Sequence, residues 1–291
     1  MNYHSPVLLK ETLSCLAISA NNKYIDATLG HGGHTLEILK QNAFVYGFDQ
    51  DPQNLKIATD RINELFLSKN FVGINKNFIN IKSYFKKNKL NKVDGLVADL
   101  GLSLNQQTGQ NRGFSFNDEL SLDMRLDPQT QTLTAEEVIN TYSFDQLYQI
   151  FTKIGQELYS KPLIFQIIKE RQKNPIKTGQ KLADIIRLYY QDKHLRSKID
   201  PSTKIFLSLR IFVNQEYENL TKLLNQSLEI VKPGGQVCII TFHSGEDRLV
   251  KQFIQKNISK IIPQKPIKPS FIEIKQNPLS RSAILRTYKI S

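Results

Sequence analysis

The 291-residue sequence has only two cysteines, no long apolar run and no secretory leader pattern. Cys15 and Cys238 lie in apolar contexts far apart in the chain, which predicts neither a disulfide framework nor a cysteine metal site. The longest apolar segments, such as 236–242, have the length of a strand, whereas a membrane-spanning helix needs about 20 apolar residues. The first residues lack the basic and apolar regions of a signal peptide. We therefore expect a cytoplasmic protein without a membrane segment.

Acidic residues are outnumbered by basic ones, and the two are unevenly distributed. The chain has 39 Lys and Arg against 27 Asp and Glu, a formal net charge of +12. Basic residues dominate 76–92 and 249–291, whereas 116–150 is acidic. A separated basic surface attracts the phosphates of a nucleic acid. A lysine-rich surface without such a partner is the alternative that the charge alone leaves open.

The first 120 residues alternate between strand-like and helix-like segments. Pro52 is well placed in the first turn of one of the helices. Such alternation predicts a parallel, doubly wound α/β sheet of the Rossmann-like kind. The predicted strands cover 23–27, 43–49, 71–74 and 93–99.

The alternation stops after Asp99, and the next core strand is predicted only at 236–242. This gap far exceeds the roughly 30 residues of a βαβ unit, and its patterns are helical. We expect an inserted helical domain at 116–205. The sheet domain is then discontinuous, with residues 1–115 and 206–291.

Two further elements are predicted from local patterns near the return to the sheet. Apolar spacing predicts one long helix over 204–231. The segments 271–274 and 284–288 are predicted to pair as closing strands.

Three of the predicted strands end in glycines or acids, and ligands of open α/β sheets bind at these ends. The first strand runs into a turn with Gly30, Gly32 and Gly33, the second ends in Asp49, and another ends in Asp99. An acid at the end of the second strand can accept hydrogen bonds from both hydroxyls of a ribose. The alternative for Asp49 is an acid at the start of the following helix. The combination favours a cofactor that contains adenosine.

The glycine turn favours S-adenosylmethionine over a dinucleotide. Thr35 stands where the dinucleotide fingerprint needs its third glycine, and no Walker lysine follows. This disfavours a nicotinamide dehydrogenase. S-adenosylmethionine has no phosphate, so Asp49 can hold its ribose while Asp99 lies beside the adenine or the methyl group. No Cys or acid completes a zinc site with His31 and His34, so we expect no metal.

Uncommon strings of residues spread over nearly the whole chain resemble the RsmH (MraW) methyltransferases of bacteria and organelles. That family methylates the N4 amine of a cytosine in the decoding region of 16S small-subunit rRNA. The resemblance rests on these strings in the same order: HSPVLLKE at 4–11, YIDATLGHGGH at 24–34, FDQDP at 48–52, VADLGLS at 97–103, RGFSF at 112–116, LDMRLD at 122–127, RIFVN at 210–214, FHS at 242–244 and EDR at 246–248, with NP at 277–278 and RS at 281–282.

The resemblance implies a class I S-adenosylmethionine-dependent methyltransferase with an inserted helical domain that recognises its substrate. Its implied partner is 16S rRNA within the small ribosomal subunit. A methyltransferase acting on another RNA, or a non-catalytic ribosome assembly factor, is the alternative, and a homodimer stays open. The implied cofactor contacts are Gly32, Gly33, His34, Asp49, Phe78, Asp99 and Gln106.

The chain departs from the family at three places. Gly245 stands where the family usually has Leu, Leu120-Ser121 replaces a usual Gly-Pro, and Leu207 replaces a common Gln. We expect these changes to affect the RNA side and not the cofactor pocket.

Transfer to a cytosine amine needs a hydrogen-bond acceptor for the NH₂ group, because its lone pair is delocalised into the ring. The Pro-Pro motif of many amino-methyltransferases is absent, since Leu100 and Gly101 follow Asp99. His243 either accepts the proton or packs beside a helix capped by Ser244. Asp123 either belongs with Arg125 to a lid or forms a plain surface ion pair. The candidate catalytic residues are Asp99, Asn105, Asp123 and His243.

Overall fold

The computed structural model describes residues 5–103 and 111–291. The chain divides into two compact units, which we call the sheet unit (Met1–Ser103 and Tyr217–Ser291) and the helical unit (Leu104–Glu216). The sequence predicts these limits at 115/116 and 205/206. The helical unit extends further at its C-terminal end because Leu209 and Val213 belong to its apolar core.

The sheet unit is built on seven strands in the order β3-β2-β1-β4-β5-β7-β6. Strands β1 to β5 are parallel, and β7 pairs antiparallel with both β5 and β6. The winding reverses between β1 and β4, which creates the crevice where ligands bind in such sheets. The predicted doubly wound sheet is confirmed. The strands are β1 (Lys23–Asp26), β2 (Phe44–Asp49), β3 (Phe71–Asn75), β4 (Val93–Asp99), β5 (Val231–Thr241), β6 (Ile261–Pro263) and β7 (Ile284–Ile290).

Apolar side chains cover both faces of this sheet. In β4, Leu96 and Ala98 belong to one apolar core, and Val97 belongs to the core on the opposite face. Successive residues of a strand point to opposite faces, so a run of consecutive apolar residues is what two covered faces require.

Helices pack on the sheet and form the second unit, which has an apolar core of its own. A π-helical turn over Ile150–Ile154 follows one of the short helices. No helix in the described part of the chain is long and apolar enough to cross a lipid bilayer. The α-helices are Leu9–Leu16, Gly33–Leu39, Pro52–Glu64, Ile81–Lys87, Ala135–Thr141, Phe144–Gln149, Ser160–Lys173, Gly179–Asp192, Thr203–Val213, Glu216–Ile230, Ser244–Lys256 and Phe271–Gln276.

The single long helix predicted over 204–231 is wrong, because the chain breaks at Asn214 and Gln215. Gln215 has a positive φ of 50°. The Asn214 side chain accepts a hydrogen bond from Leu126 N and donates one to Met124 O, both at 2.8 Å. These long-range bonds within the helical unit favour the break, and apolar periodicity does not report them.

The strand predicted over 271–274 is also wrong, since Phe271–Gln276 is a helix. Ser270 caps this helix by accepting a hydrogen bond from Glu273 N at 3.1 Å. The Glu273 carboxylate in turn accepts one from Leu8 N at 2.7 Å. The partners of β7 are instead β5 and β6, and β6 is a short strand that ends in Pro263.

Candidate functional site

The glycine turn after β1 binds the carboxylate at the end of β2. Gly30 N donates a hydrogen bond of 2.8 Å to Asp49 Oδ2, and Asp51 N donates one of 2.8 Å to Asp49 Oδ1. Gly30 and Gly32 have positive φ values of 51° and 77°, which glycine adopts without strain. The helix that starts at Pro52 is capped by Asp51, which accepts from Gln53 N. Asp49 therefore binds the turn, and the residue that caps the helix is Asp51.

Two further carboxylates, Asp26 and Asp99, lie at the ends of the adjacent strands β1 and β4. Thr35 Oγ1 donates to Asp26 Oδ2 at 2.7 Å, and Asp99 N donates to Thr28 Oγ1 at 2.6 Å. Asp99 Oδ1 is buried and has no hydrogen-bond partner among the described residues. A carboxylate oxygen in that state lacks the interaction that its burial requires.

The three carboxyls at these strand ends all have raised pKa values. Burial raises the pKa of Asp26 to about 6 and that of Asp49 to about 7. Burial, followed by repulsion from Asp26, raises the pKa of Asp99 to about 7, and Glu246 adds to this repulsion. Ionising these groups is costly without a compensating charge. The edge is therefore suited to a ligand that carries positive charge or donates hydrogen bonds.

His34 and Gly33 connect this edge to the segment that precedes the first helix. His34 is buried, its Nε2 lies 3.2 Å from Val7 O, and its Nδ1 lies 4.0 Å from Asp99 Oδ2. Burial lowers the pKa of His34 to about 4, so the ring is neutral at pH 7. A Cβ atom at Gly33 would overlap the Pro6 ring. The glycine thus allows close packing of Pro6 against the turn.

Phe78 lies just beyond β3, in a 3-10 turn that Asn77 caps by accepting from Ile79 N at 3.0 Å. Asn77 Nδ2 also donates to Gln50 Oε1 at 2.6 Å. The half-buried Phe78 packs against the sheet core. The ends of β2 and β3 are therefore joined by side-chain hydrogen bonds around the predicted ribose acceptor.

His243, rather than Ser244, caps the helix after β5. Its Nδ1 accepts a hydrogen bond from Glu246 N at 3.4 Å, and its Nε2 lies 3.2 Å from Glu246 Oε1. Glu246 Oε2 accepts a hydrogen bond from Phe242 N at 2.8 Å. Glu246 thus bonds the cap through its backbone N–H and the residue before the cap through its carboxylate, an arrangement related to the capping box but shifted by one residue. The hydrogen bond from Glu246 N is directed at Nδ1 of His243.

The remaining predicted residues lie in the helical unit or outside the described residues. Asp123 lies in the helical unit, where its carboxylate forms a bidentate pair with Arg125 at 2.7 and 2.8 Å. The Arg125 guanidinium also donates to Gln131 O at 2.7 Å. Asn105 and Gln106 lie outside the described residues.

The lysines of the predicted basic segments are exposed. All six lysines of 76–92 are exposed on and around the helix Ile81–Lys87, where Lys82 pairs with Glu229 at 2.6 Å. In 249–291 the basic residues are exposed as well, except Arg286, which pairs with Asp247 at 2.6 Å. Both segments belong to the sheet unit.

Sequence reasoning missed the supporting residues Asp26, Thr28, Thr35 and Glu246. Asp26 ends a strand just as Asp49 and Asp99 do, so its position was a usable signal. The hydroxyl of Thr28 depends on the neighbouring strand for its partner, which no local pattern shows.

Comparisons of the sequence with a family model and with known proteins identify the same family of methyltransferases. The family model described as the MraW methylase family matches residues 1–291. The chain is similar to "Ribosomal RNA small subunit methyltransferase H" of Halothermothrix orenii, with 38% identity over 97% of both chains.

Two solved structures share the fold at low sequence identity. A candidate rRNA methylase from Clostridium thermocellum superposes with a TM-score of 0.51 at 13% identity, covering 100% of both chains. A candidate methyltransferase from Streptococcus mutans, solved in complex with SAH, gives 0.51 at 13% identity over 99% of this chain and 100% of that one. The sheet is therefore of the methyltransferase type, as the resemblance implied.

Proposed function

Because the chain belongs to the MraW methylase family, we propose that it methylates the N4 amine of a decoding-region cytosine in 16S small-subunit rRNA, with S-adenosylmethionine as donor. The relative from Halothermothrix orenii carries the name of a small-subunit rRNA methyltransferase. The Streptococcus mutans structure holds SAH, the product that such a donor leaves. The site of this chain supports the proposal independently.

The main observation behind the proposal is that three carboxyls with raised pKa values lie at the carboxyl ends of neighbouring strands, around the point where the winding of the sheet reverses. Asp26, Asp49 and Asp99 end three neighbouring strands, and their pKa values lie at about 6, 7 and 7. The buried Asp99 Oδ1 lacks a partner in the described part of the chain. A sulfonium cation with a ribose diol supplies both the positive charge and the hydrogen-bond donors that this edge lacks. The residues present therefore fit the donor.

The resemblance and the geometry together suggest the roles around the cofactor. Asp49 accepts the ribose hydroxyls, held in place by Gly30 N. The turn at Gly32 brings backbone close to the methionine part, while Phe78 lines the adenosine side. Gly33 and His34 support this turn from behind through Pro6 and Val7. From the resemblance alone, Gln106 is proposed to contact the cofactor as well.

The bound donor supplies an electrophilic methyl group on sulfur. Asp99 accepts a hydrogen bond from the cytosine amine, which favours the pyramidal and more nucleophilic form of the nitrogen. With a pKa near 7, Asp99 is suited to take the proton that the amine loses as it gains the methyl group. His243 is less suited, since its Nδ1 accepts from Glu246 N. Positioning of the amine in line with the carbon–sulfur bond contributes further acceleration.

The exposed lysines suit an RNA partner. Six lysines without an acid on 76–92 form a dense positive segment next to β4, and they attract phosphates by releasing counterions. A base in a folded RNA must leave its stack before its amine can reach the donor, so phosphate contacts around the flipped base are needed. The helical unit is proposed to supply further substrate contacts.

The test is methylation of unmodified small ribosomal subunits with S-adenosylmethionine, followed by mass spectrometry of the rRNA nucleosides. We expect N4-methylcytidine from the wild type, none from Asp49→Ala, and normal yield from the control Asp60→Ala, an exposed acid paired with Lys56. Methylation of a different nucleoside would show that the proposed target base is wrong, while the proposed transfer from S-adenosylmethionine would stand. Donor binding without any transfer would favour an assembly factor, and absence of donor binding would refute the proposal.

A further inference from the structure

The side chain of Tyr217 occupies the space above Gly245. Tyr217 is near the start of the helix Glu216–Ile230, and Gly245 is the second residue of the helix Ser244–Lys256. A Cβ atom built on Gly245 would overlap the Tyr217 hydroxyl oxygen and lie 2.6 Å from Cζ of the same ring. Side-chain atoms do not approach this closely, so any larger residue at 245 requires the phenol to move. Glycine at 245 is therefore what admits the tyrosine.

The phenol lies beside the residues at the end of β5. His243 Nδ1 lies 3.2 Å from the same hypothetical Cβ position, so the Tyr217 hydroxyl and the imidazole are close neighbours. The two ring centroids are 5.9 Å apart at an interplanar angle of 46°. His243 follows β5, in which Ile240 pairs with Asp99 at the end of β4. Tyr217 thus belongs to the edge of the sheet that carries the proposed chemistry.

The group that fills the space above Gly245 is polar. An aliphatic side chain at 245 would fill it with an apolar group, whereas the phenol hydroxyl there can both donate and accept hydrogen bonds. Tyr217 is only half-buried, so part of its side chain remains accessible. A rigid aromatic ring with a polar tip is well suited to hold a nucleotide at low cost in conformational entropy.

We propose that Tyr217 is a substrate-positioning residue, whose hydroxyl, admitted by Gly245, hydrogen-bonds the acceptor nucleotide beside His243. This inference rests on the proposed function, since it assigns a contact to the same RNA. It makes Gly245 a specificity-determining position, because a larger residue there would displace the phenol that is presented to the substrate. The cofactor contacts are not part of it.

The first test is Tyr217→Phe, which removes the hydroxyl and keeps the ring. Under conditions where the wild type methylates small subunits, we expect kcat/KM for the RNA to fall about tenfold, as for one lost hydrogen bond. The dissociation constant for SAH stays at its wild-type value. The matched control is Tyr46→Phe, which changes a buried tyrosine of β2 in the same way and should leave kcat/KM unchanged.

The second test exchanges the occupants of the space. Gly245→Leu alone is expected to lower both the melting temperature and the activity, because the new side chain collides with the phenol. Gly245→Leu combined with Tyr217→Leu is expected to recover the melting temperature, while its kcat/KM stays near that of Tyr217→Phe. Full recovery of kcat/KM in the double variant would contradict the proposal, because it would show that filling the space is sufficient and the hydroxyl is not needed.

Wild-type activity in Tyr217→Phe, with activity lost only when the ring is removed, would overturn the inference and leave Tyr217 as a packing residue. A wild type that binds S-adenosylmethionine but methylates no small subunit would count against the proposed function instead. The two failures are distinguishable, because the first is read only relative to an active wild type.

Discussion

The pH dependence of cofactor affinity should differ between the methyl donor and the product, and Asp99 should cause the difference. The donor carries a sulfonium charge, whereas the product SAH is a neutral thioether. In the proposed roles, Asp49 binds the ribose that both ligands share, whereas only the donor gains from ionised Asp99. We therefore expect donor affinity to fall more steeply than product affinity as the pH is lowered, and Asp99→Asn to remove the difference.

The magnitude follows from the pKa values of about 7 for both carboxyls. A group with this pKa is about 90% ionised at pH 8 and about 10% ionised at pH 6, so a ligand that requires its ionised form binds about tenfold more weakly at pH 6. SAH depends on Asp49 and should lose about tenfold. S-adenosylmethionine depends on Asp49 and Asp99 and should lose about a hundredfold. The ratio of the two affinities then changes about tenfold.

Isothermal titration calorimetry of both ligands at pH 6, 7 and 8 measures this ratio. Both ligands have the same titratable groups in their amino-acid and nucleoside parts, so protonation of these groups affects both affinities equally and cancels in the ratio. Asp99→Asn keeps the size of the side chain and should make the ratio independent of pH, with SAH affinity at pH 8 close to wild type. Parallel loss of both affinities in the wild type, or an unchanged ratio profile in Asp99→Asn, would refute the electrostatic role of Asp99.

Three further predictions concern stability. A carboxyl whose pKa is raised on folding destabilises the ligand-free protein as the pH rises from about 4 to 7, so Asp99→Asn should gain about 1–3 kcal/mol in urea unfolding at pH 8 and nothing at pH 4. Gly33→Ala should lose about 1–3 kcal/mol, since its Cβ overlaps the Pro6 ring, and an unchanged unfolding midpoint would contradict that packing. Asn214→Ala removes the bond to Met124 O and should cost about 1–3 kcal/mol, seen as earlier unfolding of the helical unit in hydrogen exchange.

Local patterns were sufficient to predict the five parallel strands of the sheet and the principal acids at their ends. A strand covered on both faces must be apolar at consecutive positions, and β4 is easily found from its own seven residues. Because strand ends in such a sheet meet at one edge, the positions of Asp49 and Asp99 followed as soon as the strands were found. The glycine turn was visible for the same reason, since its backbone requirements are local.

Elements defined by partners far along the chain were predicted poorly. The helix at Phe271–Gln276 has a short apolar pattern that also suits a strand, and the Ser270 cap and the bond from Leu8 N to Glu273 favour the helix. The break at Asn214 likewise depends on hydrogen bonds to a segment about 90 residues away. A sequence window contains none of these partners.

Sequence patterns were enough to predict the parallel strands, the glycine turn and the acids at the strand ends, because periodicity and turn geometry are properties of neighbouring residues. The tertiary structure decided the electrostatic state of those acids, since the raised pKa values of Asp49 and Asp99 come first from burial. It also decided which glycines allow close packing: Gly33 admits Pro6, and Gly245 admits Tyr217. Both outcomes depend on distances between segments that are brought together only when the chain packs its core.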